Sequence, residues 1–266
     1  MKRALAILAF AGLAACGGDG DGGSSSGGTK PVTKPITKAM TISLYGQPIV
    51  SSSASAAAPS VASDTQATVQ ALQAALAAQG VAATVTPQVM TGTSLHALVT
   101  VGSNGQPPTA DQFKADPSSY VLANFQLDDM VTPWMDPAQQ AAAEQFKQDL
   151  QVFIQRMQVA GKQVGIVTPI ATCDYPRGSS SYSVTRRNYT AVDALTSMNA
   201  EAVGEKGGKV VGALTYQIVW VQDPAANLYE FVNTSTQGHM GADCRTPDAY
   251  LRDLQIQSIA QTVATF

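Results

Sequence analysis

The sequence predicts an α/β protein of the doubly wound type, in which helices cover both faces of a parallel sheet. Three observations predict it. Near-continuous apolar runs of strand length, such as "MTISLY" and "YVLANF", recur along the chain, as strands buried on both faces require. Segments with helical apolar spacing alternate with them. The 266 residues are long enough to bury one sizeable core or two small ones.

Taken in order, the first strand is "MTISLY", which runs into a turn at Gly46. The segment "SDTQATVQALQAALAAQG" follows as a helix. Val69, Leu72 and Leu76 share one face, Asp64 stands as its N-cap and Gly80 closes it. "VAATVTP" reads as the second strand and "YVLANF" as the third. "MDPAQQAAAEQFKQDLQVFIQRMQVAG" is the strongest helix signal. Asp136 caps it, Pro137 fits its first turn, and Phe146, Leu150, Phe153, Ile154 and Met157 form its buried stripe. "KQVGIVTP" is the fourth strand, "KVVGALTYQIVWV" the fifth, and a last helix runs from Pro247 to Thr265.

Before this domain lies a different kind of sequence. "MKRALAILAFAGLAAC" has a basic start at Lys2 and Arg3 and an apolar run too short to span a bilayer, which needs about 20 residues. It reads as a cleavable secretion signal. Its ending, Leu13-Ala14-Ala15-Cys16, resembles the bacterial lipobox, in which the cysteine is fatty-acylated and becomes the first residue. The resemblance implies an envelope lipoprotein with a signal over 1–15. Gly17 in place of Asp implies the outer membrane. "GGDGDGGSSSGG" is then a flexible linker, and "TKPVTKPITK" an extended, semi-rigid one, so the tether covers 16–39 and a single domain covers 40–266. "DGDGG" lacks the Glu that closes a calcium loop, because Lys30 stands at that place. Cys173 and Cys244 remain. In an oxidising compartment they either pair as a disulfide or stay as two separate buried thiols.

Composition bears on partners. Charged residues are 13% of the chain, 16 basic against 19 acidic, so there is no basic stripe for nucleic acid. The chain has two histidines and no further ligand cluster around them, which argues against zinc, and no cofactor is expected. Oligomeric state is not readable. Trp134 and Trp220 fall just beyond the third and fifth strands, where they either line a cleft and stack on a sugar or simply pack.

The blocks at the strand ends resemble those of the SGNH (GDSL-type) hydrolases, esterases and deacylases of flavodoxin-like fold. The resemblance covers roughly residues 41–266 and implies a three-layer sandwich around a five-stranded parallel sheet. The family's Gly-Asp-Ser falls on Gly46-Gln47-Pro48, followed by Ile49. Its oxyanion-hole glycine falls on Gly92 in "VTPQVMTGTSLHAL". Its Gly-x-Asn-Asp falls on Gln126-Leu127-Asp128-Asp129, and its Asp-x-x-His on Thr236-Gln237-Gly238-His239.

The scaffold matches while the reactive groups do not. In the family the serine attacks an ester carbonyl, the histidine takes its proton, and an aspartate orients the imidazole. Pro48 has neither hydroxyl nor N–H. Asp128, when ionised, only accepts hydrogen bonds and repels the charge that an Asn amide would stabilise. Thr236 offers His239 no negative charge. Asp128 and Asp129 fit equally well as turn caps, His239 as a loop residue, and His96 as a structural one.

Three functions follow. The first is a catalytically inactive envelope lipoprotein that binds an acylated glycan or another ester-bearing ligand. The second is an ester hydrolase whose nucleophile has moved to Ser51, Ser52 or Ser53, with His239 as base and Asp243 as a candidate orienting group. The third is a structural or assembly lipoprotein. In each the membrane is met through the lipid on Cys16.

Overall fold

The computed structural model describes residues 34–50, 60–89, 93–102, 105–171, 190–214, 218–223, 228–233, 239 and 246–266, and these fall within one compact unit, Thr33–Phe266. Its elements are β1 (Lys38–Gly46), α1 (Val61–Ala78), β2 (Val81–Val89), α2 (Leu95–Thr100), β3 (Tyr120–Asn124), α3 (Pro137–Val159), β4 (Gln163–Val167), α4 (Ala191–Lys206), β5 (Lys209–Val211), β6 (Ile218–Asp223), β7 (Leu228–Asn233) and α5 (Ala249–Val263). Strands β1 to β5 form one all-parallel sheet in the order β2-β1-β3-β4-β5. That is the order of the flavodoxin-like fold that the resemblance implies.

Alternation along the strands divides the core between the two faces. Met40, Ile42 and Leu44 of β1 and Leu122 of β3 pack with Leu72 and Leu76 of α1 and Ile259 and Val263 of α5. Tyr45, Val121 and Ala123 face the other way, against α2, α3 and α4. Both faces are therefore apolar, which is why the strands read as continuous runs rather than alternating ones. On the second face Phe153 of α3 lies fully buried, with the rings of Tyr45, Phe113 and Phe125 edge-on at 5.5, 5.3 and 5.4 Å.

Helix ends follow local chemistry. Asp136 accepts the Ala138 N–H, with Pro137 at the first position of α3. For α1, however, the N-cap is Ser60 and not Asp64. Ser60 and Ser63 form a reciprocal capping box, and Asp64 sits inside the first turn, where its charge favours the helix dipole. Gly80 does follow the end of α1, with φ +81°.

The single fifth strand expected over "KVVGALTYQIVWV" is a second correction. β5 stops after three residues at Val211, where Gly212 takes φ +77°. The remaining apolar run becomes β6, which pairs antiparallel with β7 as a separate hairpin. Helix α4 was not expected from the sequence; a capping box between Thr190 and Asp193 begins it.

One buried ionic cluster crosses this packing. Asp116 accepts from Ser43 Oγ (2.9 Å), Tyr45 OH (2.9 Å) and the Ser118 N–H (2.8 Å). Lys162, with 2% of its side chain exposed, donates to the carbonyls of Asp116 and Ser118 at 2.6 and 2.7 Å. Burial pushes the Asp116 carboxyl up, but the hydrogen bonds from Ser118, Ser43 and Tyr45 outweigh it and hold the group below the usual carboxylate value. Burial first, then the Asp116 charge, pushes the Tyr45 phenol far above its own range.

A carboxyl depressed in the folded state adds stability that is complete above its unfolded value of about 3.9 and is lost as pH falls through the folded one. Urea unfolding should therefore show stability falling from about pH 4 downward, with a shallower fall in Asp116→Asn. Asp116→Ala, which leaves the Lys162 ammonium buried without its partner, should cost about 3–5 kcal/mol at neutral pH.

Candidate functional site

Ligands in this architecture meet the carboxyl ends of the strands. There β1 ends at Gly46 and β3 at Asn124, paired in register. Gly46 has φ +94°, and a Cβ on it would lie 2.4 Å from the Asn124 carbonyl oxygen. Only glycine permits both the conformation and the approach. Gln47 N–H then donates to that oxygen at 2.7 Å, and the Asn124 side chain returns a bond to the Gln47 carbonyl at 2.9 Å. Asn124 is buried, so its amide closes the β1 turn rather than facing a ligand.

Pro48 sits in this turn. Beyond it, the N–H groups of Ile49 and Val50 both donate to Thr68 Oγ1 of α1, at 3.1 and 3.0 Å. Every N–H from 47 to 50 is thus committed, and Pro48 has none. The hollow lined by Leu44, Gln47, Ile49, Thr68, Leu122 and Asn124 has no space for a water-sized sphere.

After β3, Asp129 folds the chain back on itself. Its carboxylate accepts from Val131 N–H (2.7 Å), Thr132 N–H (3.0 Å) and Thr132 Oγ1 (2.6 Å). It is a turn cap. Asp128 beside it is exposed. His96 Nδ1 lies 3.0 Å from the buried Asp149 carboxylate and so joins α2 to α3, the structural reading of that histidine.

His239 has a carboxylate partner that the sequence reading did not name. Its Nδ1 lies 2.8 Å from Asp248 Oδ2, its ring stacks on Tyr250 at 4.2 Å, and its carbonyl accepts the Asp248 N–H. Thr236 and Asp243, the positions that the sequence set beside this histidine, lie outside the described residues. Asp248 caps α5 through its other oxygen, which accepts the Leu251 N–H. The hydrogen bond from His239 and those from the α5 backbone hold the Asp248 carboxyl below its ordinary range. A carboxylate on Nδ1 leaves Nε2 as the nitrogen able to take a proton.

Asn124 and Asp248 are the residues that sequence reasoning missed. Signals existed for both: a lone amide ending an apolar strand, and an Asp directly before the last helical stripe. Ser51, Ser52, Ser53, Gly92, Thr236, Cys16, Cys173 and Cys244 lie outside the described residues. Among the described residues no helix is long and apolar enough to cross a membrane.

No protein-family profile matches the chain, and no curated protein matches it by sequence. Its fold is similar to those of several solved hydrolases and esterases. TesA is 16% identical over 84% of this chain and 97% of its own, with a TM-score of 0.48. A variant of Axe2, an acetyl-xylooligosaccharide esterase from Geobacillus Stearmophilus, is 13% identical over 84% of this chain and 93% of its own, with a TM-score of 0.47. A Slackia heliotrinireducens protein described as an SGNH hydrolase is 16% identical over 85% of this chain and 99% of its own, with a TM-score of 0.45.

Gly46→Ala should destabilise the fold by at least about 1–3 kcal/mol, because it adds both strain and a clash. Asn124→Ala, which orphans the Gln47 carbonyl, should cost about 1–3 kcal/mol. Urea midpoints of the two variants check both.

Proposed function

We propose that the chain is an envelope lipoprotein whose SGNH-like domain binds an acylated glycan or another ester-bearing ligand without hydrolysing it. The observation that carries this reading is the turn from Gly46 to Val50. At the place where the family keeps its nucleophile it presents Pro48, and it leaves no N–H free to meet an oxyanion. Asp128 adds an exposed carboxylate at the place of the family's amide donor. In a related triad, loss of the nucleophile alone removes about a millionfold in turnover. The lipid on Cys16 anchors the domain to the outer membrane, and Cys173 pairs with Cys244.

One observation favours a second reading, a working serine esterase. The 2.8 Å contact from His239 to Asp248 is the base-and-orienter half of a triad, and it lacks only a hydroxyl. Ser51, Ser52 or Ser53 would supply it: the hydroxyl oxygen attacks the ester carbonyl while His239 Nε2 takes its proton and later gives it to the leaving alcohol.

Folded protein treated with a fluorophosphonate probe should take up no label, and aryl acetate turnover should match that of His239→Ala. A labelled serine among 51–53, lost in His239→Ala and weakened in Asp248→Asn, would establish the esterase instead. Cys16→Ser should move the protein from the membrane fraction to the soluble one. Retention on the membrane would remove the lipid anchor from the proposal.

A further inference from the structure

The described lysines divide by position. Lys114, Lys147 and Lys162 each have a carboxylate partner, at 2.7, 2.9 and 3.6 Å. Lys34, Lys38, Lys206 and Lys209 form no ion pair among the described residues. All four stand at the amino end of the parallel sheet. Lys38 is the first residue of β1 and Lys209 the first of β5. Lys206 ends α4, with only Gly207 and Gly208 between it and Lys209. Lys34 lies on the segment leading into β1 and donates to the Gln79 side chain at the end of α1 (3.2 Å).

Two of these ammonium groups rest on aromatic faces. Lys38 Nζ lies 5.7 Å from the centre of the Tyr120 ring, Tyr120 stacks on Phe266 at 6.0 Å, and Lys209 Nζ lies 4.2 Å from the Phe266 ring. A ring holds a cation in place without cancelling its charge. Ile36 and Val210, beside these lysines in the chain, are exposed.

The opposite end carries the other sign. Asp64, Asp136, Asp193 and Asp248 sit at helix starts, and Asp128 and Asp129 follow β3. Capping and the helix dipole account for most of that acidity without any partner. The same cause does not account for the amino end, because of the four lysines only Lys206 lies in a last helical turn. Exposed apolar side chains occur at both ends, Val61 and Tyr250 at helix starts among them, so charge is what sets the amino end apart.

An anionic polymer or the headgroup layer of a membrane could meet such a surface. The rings favour the membrane, since aromatic side chains with lysines around them suit the boundary between headgroups and acyl chains. So does the course of the chain, because in the proposed lipoprotein the segment from Cys16 arrives at this end through Lys34. We infer that the amino end of the sheet docks on an anionic lipid surface, with Lys34, Lys38, Lys206 and Lys209 meeting the headgroup phosphates. The carboxyl-end site is thereby turned away from the bilayer. This deepens the envelope-anchor reading above and rests on it. Each lysine contributes about fivefold in affinity, which orients a domain already tethered but does not hold an untethered one at physiological salt.

The test uses the mature chain, residues 16–266 with Cys16→Ser and so without lipid, and vesicles of phosphatidylglycerol or phosphatidylcholine. At about 20 mM salt, where screening is weak, the chain should float with phosphatidylglycerol vesicles and not with phosphatidylcholine, and about 150 mM salt should release it. Lys206→Gln/Lys209→Gln should weaken flotation about thirtyfold, and Lys34→Gln about fivefold, with thermal unfolding unchanged. Gln140→Glu/Ala141→Glu, the same change in net charge at the exposed start of α3, should alter it less than about threefold. No flotation at low salt, equal flotation with both lipids, or equal losses in the two double variants would overturn the docking. Tighter binding to soluble polyphosphate than to vesicles of equal phosphate content would mark a polymer site and overturn it too. Each of these failures leaves the lipid anchor standing, since the fractionation of Cys16→Ser decides that by itself.

Discussion

The carboxyl ends of β1 and β3 approach so closely that no side chain fits between them, and much of the candidate site is shaped by that approach. Gly46 lies under the Asn124 carbonyl. The oxygen takes the Gln47 N–H, the Asn124 amide takes the Gln47 carbonyl, and Thr68 of α1 collects the next two N–H groups. A buried backbone polar group needs a partner, and this turn finds all of its partners inside the protein. The same satisfaction that stabilises the turn leaves nothing to offer a reacting carbonyl.

The imidazole stands apart from this economy. His239 keeps an oriented carboxylate on Nδ1 because Asp248 is already fixed by its duty as the cap of α5. A helix cap is retained for folding whether or not chemistry occurs. The pairing thus serves the fold without any demand for catalysis, with the imidazole stacked on Tyr250.

What the sequence made legible, and what it hid, follows from the range of each interaction. The stripes Val69-Leu72-Leu76 and Phe146 to Met157 are periodic over several turns, and all of these residues are buried as expected. Capping is more local: both Ser60 and Asp64 suit an N-terminus, and a reciprocal pair of serines wins over one carboxylate. The run after Lys209 is apolar throughout, so apolarity alone concealed the break at Gly212, where the positive φ ends β5. Chain order was legible where local patterns carry it: Gly46 does end β1 with Gln47 and Pro48 in the turn after it, and Gln126 to Asp129 do follow β3. The Asn124 latch and the Asp248 pairing were not, because each depends on a contact between elements that no local pattern announces. Lys162 and Asp116 illustrate the same limit, since a lysine opening the fourth apolar run and an aspartate in a polar connection become the most deeply buried ions described.

The brevity of β5 has a consequence for how copies of this chain meet one another. An open parallel sheet has two margins, each a row of unpaired amides on which a neighbour could template another strand. On one margin only three residues are available, and Lys209 begins them. On the other, β2 carries Pro87, which has no amide to lend. Both margins are thus poor templates, and copies of the domain are spared growth by strand-to-strand addition.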